Sequence, residues 1–124
     1  DWVIATGKTT TVRDFVKMSF AYAGIELEFK GEGKDERAVI ASCSNEKYQV
    51  KIGTEVVAVD PKYFRPTEVD LLIGDPTKAN TKLGWTPEYN LEELINEMME
   101  SDLKLMTKDQ YLKDGGYTIM NYFE

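Results

Sequence analysis

The spacing of apolar and polar positions divides the chain into alternating strand-like and helix-like stretches. Residues 2–5, Trp-Val-Ile-Ala, form a short apolar run closed by Thr6-Gly7, the pattern of a buried strand. A chain that opens with Asp1 directly on such a strand is expected to be a piece of something longer. Thr11, with Asp14 three residues on, predicts a helix start. Val12, Phe15, Val16, Ser19, Phe20 and Ala23 then recur at helical spacing up to a stop at Gly24. Ile25, Leu27 and Phe29 alternate with Glu26, Glu28 and Lys30, the period of a half-buried strand.

Charged and small polar residues dominate positions 34–54, which read as a loop or mobile hairpin. Tyr48, Val50 and Ile52 hint there at a short strand. Glu55-Val56-Val57-Ala58-Val59 reads as a buried strand. Asp75 before Pro76 predicts a cap with proline at the first helical position. The short helix that follows, with Ala79 and Leu83 on one face, ends at Gly84. Trp85 and Pro87 form a hydrophobic latch, and Asn90 with Glu93 repeats the capping box. Leu91, Leu94, Ile95 and Met98 mark an amphipathic helix to about Leu105. The aromatic tail from Tyr111 to Glu124, with Tyr117, Tyr122 and Phe123, is expected to dock on the body. These pieces predict one α/β unit of α+β-like character over residues 1–124, with about three helices and several short strands.

Composition narrows the function. At 124 residues with a formal net charge of -7, the chain lacks the cationic footprint that nucleic acid or an anionic membrane requires. No apolar run approaches the roughly 20 residues of a bilayer span, and no leader-like segment opens the chain, so a soluble, cytoplasmic protein is expected. Cys43 stands alone, which precludes an internal disulfide and fits a reducing compartment. Histidine is absent, and the acidic residues form no dense ligand series, so neither a metal site nor histidine-based acid–base chemistry is expected. Gly31-x-Gly33 lacks the third glycine and following helix of a phosphate loop. Tyr48 and Lys51 lack the three-residue gap of a Tyr-x-x-x-Lys pair.

The stretch from Val59 to Pro76 carries the candidate chemistry. Arg65 precedes Pro66, which biases its backbone to an extended form and fixes the base from which the side chain projects. Its guanidinium fork matches two phosphate oxygens at once, and an ionised Glu68 can accept from vicinal sugar hydroxyls. The competing reading is a solvated ion pair of Arg65 with Glu68 or Asp70, contributing roughly 0–1 kcal/mol. Tyr63 and Phe64 could flank a base, although plugging the core is the expected role.

The ordered series Tyr63-Phe64-Arg65-Pro66-Thr67-Glu68-Val69-Asp70, Gly74-Asp75-Pro76-Thr77-Lys78-Ala79 and Lys82-Leu83-Gly84-Trp85-Thr86-Pro87 resembles the C-terminal substrate region of the GDP-mannose 4,6-dehydratases, of the extended short-chain dehydrogenase/reductase family. Residues 1–7, 12–16 and 91–103 extend the likeness, and residues 34–54 match least. The resemblance implies a C-terminal nucleotide-sugar-binding part without its Rossmann domain. In the parent enzyme, NADP and the catalytic residues would lie on the missing N-terminal dinucleotide-binding domain, with no cofactor and no catalytic residue on this chain. It further implies GDP-mannose as ligand, conversion to GDP-4-dehydro-6-deoxymannose on the way to GDP-fucose or GDP-rhamnose, and a homo-oligomeric parent. Carried over residue by residue, Arg65 would bind the GDP pyrophosphate and Glu68 a guanosine ribose hydroxyl. Alternatives are the equivalent part of another nucleotide-sugar epimerase or reductase, and a non-catalytic nucleotide-sugar-binding module.

Overall fold

The computed structural model describes residues 1–67 and 71–120. Its elements run in the order α1 (Val12–Tyr22), β1 (Ile25–Lys30), β2 (Arg37–Cys43), β3 (Glu55–Ala58), α2 (Thr77–Leu83) and α3 (Leu91–Asp114). The strands form one antiparallel sheet in the order β1-β2-β3. Helix α1 packs on β1, and α3 packs on α1. The predicted class, a small mixed unit of three helices and a few short strands, is the one observed.

α1 begins where its cap predicts. Thr11 Oγ1 accepts the Asp14 N–H at 3.0 Å, which satisfies one of the donors that the first turn leaves open. The serine that interrupts its apolar stripe is neutralised locally, because Ser19 donates its hydroxyl to the Phe15 carbonyl at 2.9 Å. Gly24 reverses the chain with φ +75°, a conformation in which a Cβ would collide with Asn45 at 2.9 Å. That sharp turn lays β1 directly against the helix before it. Ala23 and Ile25, on either side of the turn, and Ile40 of β2 form the buried core. Phe20, Leu27, Cys43, Tyr48, Val50 and Val56 pack around it.

Four sequence expectations are corrected. Residues 37–43, placed within a loop or mobile hairpin, form the central strand β2, and Ala38 and Ile40 are among the most buried residues of the chain. The predicted strand near residues 48–52 is instead irregular chain between turns at 46–47 and 52–53, with Tyr48 and Val50 packed on the core and Ile52 exposed. β3 is not a buried strand. It pairs with β2 alone, so its outer edge is open and Val56 and Val57 are only half-buried. Residues 2–5 belong to no strand, because among the described residues their backbone groups meet no backbone partner.

The later helices differ in detail. Pro76 caps α2 rather than opening it, and Asp75 Oδ1 receives the Thr77 N–H at 2.9 Å. Ala79 is fully buried but Leu83 is exposed, so the predicted face of α2 buries only one of its two apolar positions. Trp85 is half-buried and Pro87 exposed, which leaves the latch to the tryptophan. α3 opens on the predicted capping box. Asn90 Oδ1 accepts the Glu93 N–H, and Glu93 Oε2 accepts the Asn90 N–H, both at 2.9 Å. The helix continues beyond Leu105 to Asp114, because no glycine or proline intervenes before Gly115-Gly116. Tyr111 and Tyr117 are largely exposed, so the described part of the tail is not docked; Tyr122 and Phe123 lie outside the described residues.

Ile40→Ala should lower the unfolding free energy by about 2–5 kcal/mol, whereas Ile52→Ala should change it by no more than about 0.5 kcal/mol. Urea denaturation of the two variants measures the difference.

Candidate functional site

The chain leaves the sheet at the end of β3, where the Val59 N–H donates to the Glu36 carbonyl at 3.2 Å. Asp60 then organises a tight turn over Pro61. Its side chain accepts the Lys62 N–H at 2.8 Å, and its carbonyl accepts the N–H groups of Tyr63 at 3.0 Å and Phe64 at 3.2 Å. A proline at the second position of this turn pre-sets its φ, so the segment reaches Arg65 with little freedom left. Arg65 is exposed just beyond the turn and is followed by Pro66. Glu68, the second predicted ligand residue, lies outside the described residues, as does Asp70, the other candidate ion-pair partner.

Tyr63 and Phe64 do not plug the core. Tyr63 is 72 % exposed, with the Lys62 ammonium 5.4 Å from its ring centroid, and Phe64 is 38 % exposed. The Phe64 ring lies beside the β1–β2 connection, where a Cβ on Gly33 would be 3.9 Å from it. Rings and guanidinium therefore share one exposed segment.

At Gly74 the chain returns beside its own beginning. A Cβ on Gly74 would lie 2.6 Å from Ala5 Cβ and 3.3 Å from Val3 Cγ1, so residues 3–5 and 74 are pressed together. Lys78 of α2 fastens this end further. Its ammonium donates to the Asp1 carbonyl at 3.1 Å and sits 4.7 Å from the Trp2 ring centroid.

Arg13 and Arg37 are spent on structure. Arg13 Nε donates to Glu36 Oε1 at 2.6 Å, tying α1 to the approach of β2, and the Glu36 carboxylate drives Arg13 further toward its charged form. Arg37 stands 3.8 Å from Glu55 across the β2–β3 pair. On α3 the Lys104 ammonium donates to Glu100 at 2.6 Å, which lowers the glutamate's pKa and raises that of the lysine.

The clefts lie elsewhere. The largest, about 730 Å³, opens between residues 6–10 and the start of α3, where Lys8, Thr10, Asn90 and Glu93 face it. It lies beside two helix starts, where the Thr11 cap and the Asn90–Glu93 box each satisfy one helical first-turn donor. A second cleft of about 460 Å³ lies between Tyr22, Tyr48 and the Glu100–Lys104 pair. Neither is lined by Arg65, and neither was legible in the sequence, since their walls come from segments far apart in the chain. Among the described residues no group of three His, Cys, Asp or Glu side chains could hold a metal ion, and no helix is long and apolar enough to cross a membrane.

The described residues thus form a small mixed α/β unit that presents an exposed arginine just past a proline-containing turn. The sequence profile of GDP-mannose 4,6 dehydratase matches residues 1–98, and the chain belongs to that family. It is 51 % identical over 120 residues to the GDP-mannose 4,6-dehydratase of Yersinia enterocolitica, covering 96 % of this chain and 32 % of that protein. It is 48 % identical over 120 residues to the enzyme of that name from Vibrio cholerae, with the same coverage. Against the human GDP-mannose 4,6 dehydratase it is 42 % identical over 106 residues, or 86 % of this chain and 26 % of that protein. The chain thus spans about a third or less of the length of these relatives.

The Thr77 hydroxyl, and after it the Thr77 N–H, hold the Asp75 carboxyl below the usual carboxylate range. A depressed carboxylate adds stability that is complete above its unfolded-state pKa and is lost as pH falls through the folded-state value. Thr77→Val should therefore raise the Asp75 pKa toward the ordinary value, and carboxyl-carbon NMR titration reads the shift directly.

Proposed function

We propose that residues 1–124 are the nucleotide-sugar-binding part of a cytoplasmic GDP-mannose 4,6-dehydratase. In this reading Arg65 grips the GDP pyrophosphate, and Glu68 accepts from a guanosine ribose hydroxyl. The observation that carries the proposal is the family match across residues 1–98, which contains the Tyr63 to Asp70 string, together with the exposed presentation of Arg65 on the Asp60–Pro61 turn. A planar guanidinium with a stiffened base meets a diphosphate at low entropic cost, because few rotors remain to be frozen in the backbone beneath it.

The whole enzyme would oxidise the hexose, eliminate water and return the hydride to give GDP-4-dehydro-6-deoxymannose. NADP would supply the hydride exchange when bound, and this chain carries neither a Gly-x-Gly-x-x-Gly loop nor a Tyr-x-x-x-Lys pair to hold and use it. The cofactor and the reacting residues accordingly belong to the portion of the enzyme outside this span, and an oligomeric parent is part of the same proposal. This chain's own contribution is grip at a distance: holding the nucleotide fixes where the sugar lies, and such remote contacts raise turnover as well as affinity.

A charge-assisted contact contributes roughly 1.5–3 kcal/mol, so Arg65→Ala in a full-length enzyme carrying this sequence should weaken GDP binding about ten- to a hundredfold by calorimetry. Unchanged GDP affinity in that variant would remove Arg65 from the site. The isolated chain, supplied with GDP-mannose and NADP, should show no turnover in a coupled assay.

A further inference from the structure

Val59 and Phe64, at the two ends of the segment that delivers Arg65, both meet the connection between β1 and β2. The Val59 N–H donates to the Glu36 carbonyl at 3.2 Å, and the Phe64 ring passes Gly33, where a Cβ would lie 3.9 Å from its Cζ. The Asp60 turn spans the interval between these two supports. Residues 31–36 are therefore the platform on which the segment rests, and Arg65 follows its second support directly.

The platform is a single turn of 3-10 helix, Gly33–Asp35, closed by the Asp35 N–H on the Glu32 carbonyl at 3.1 Å and the Glu36 N–H on the Gly33 carbonyl at 3.3 Å. So short a turn holds its own shape poorly. Among the described residues its one side-chain anchor is the bond from Arg13 Nε to Glu36 Oε1 at 2.6 Å. The Arg13 guanidinium is itself steadied 5.8 Å from the Phe29 ring centroid of β1. Glu36 is thus tied at both ends, by its carboxylate to α1 and by its backbone carbonyl to Val59. The other ion pairs make no such link, since Arg37–Glu55 joins two sheet neighbours and Lys104–Glu100 lies within α3. We propose that Arg13 and Glu36 are positioning residues for nucleotide binding, their ion pair fixing the 31–36 turn and the turn fixing the segment that carries Arg65. The proposal deepens the reading of Arg65 as the diphosphate ligand and rests on it. An arginine whose base is already placed loses less freedom when the ligand arrives, so the pair acts on affinity without touching the nucleotide.

Calorimetric titration with GDP of a full-length enzyme carrying this sequence tests the proposal through a double-mutant cycle with Arg65→Ala. Arg13→Ala and Glu36→Ala should each weaken GDP binding about two- to fivefold, the range open to one partly exposed ion pair. Arg13→Lys, which keeps a cation beside Glu36, should fall between the parent and Arg13→Ala. In the Arg65→Ala background, Arg13→Ala should change GDP affinity by less than about 1.5-fold, because the pair then has no ligand arginine to place. General destabilisation would not give this coupling, since it lowers the folded fraction equally with or without Arg65. Glu100→Ala, which breaks the α3 pair, is the neutral control. Circular dichroism establishes that each variant is folded; should Arg13→Ala fail to fold, Glu36→Gln, which keeps an acceptor oxygen, goes through the same cycle. Unchanged GDP affinity in the Arg13 and Glu36 variants, or an equal loss with and without Arg65, overturns the proposal while leaving Arg65 in the site. Unchanged affinity in Arg65→Ala alone removes the reading of Arg65, and the positioning role falls with it.

Discussion

Ile40 is the residue on which the middle of the chain is registered. Its side chain closes the core with Ala23 and Ile25. Its backbone N–H donates to the Thr54 carbonyl at 3.0 Å, and its carbonyl accepts the Gly53 N–H at 2.8 Å, while across the sheet it stands opposite Leu27. One residue therefore fixes the β1–β2 register, the return of the 44–54 segment and the start of β3. Because the side-chain period of a strand is two, a slip of one position would turn Ile40 outward and empty the core. The Asp60 turn begins two residues after β3 ends, so the placement of Arg65 inherits this register.

The parts of the fold legible in the sequence were those governed by short-range chemistry. Thr11 and Asn90 announce their helices because a cap is a contact within three residues, and Gly24 and Gly84 stop theirs because only glycine readily takes the left-handed turn there. β1 shows clean alternation because one face meets α1 and the other meets water. β2 was hidden by its own success as a central strand. Its close-packed position is filled by the small, fully buried Ala38, the exposed Ala41 adds a second residue of low strand propensity, and the charges of Lys34, Asp35, Glu46 and Lys47 crowd its flanks. The far end of α3 was missed for the opposite reason: residues 106–114 carry a weak apolar stripe, and the Gly115-Gly116 stop lies well beyond the last strong apolar position.

The candidate site divides in the same way. That an arginine before a proline follows a strand and a proline-stiffened corner could be read from residue order alone, but not that the strand is an edge. That Tyr63 and Phe64 face outward with it could not, since their burial depends on where the Asp60 turn aims the chain. The clefts were equally out of reach, because each is walled by segments that meet only after α1 has packed on α3.

Arg65 on an exposed segment, away from both larger clefts, is what a site shared between two parts of an enzyme would require. A nucleotide diphosphate held between two walls is desolvated on both sides, which strengthens each charge-assisted bond. On one open wall, water competes for the same oxygens. An arginine already paired within its own chain has less to give to a ligand, as Arg13 illustrates with its 2.6 Å bond to Glu36. The segment that leads to Arg65 is fixed well enough to serve as one such wall, because the Val59–Glu36 bond and the Asp60 turn tie it to the end of the sheet.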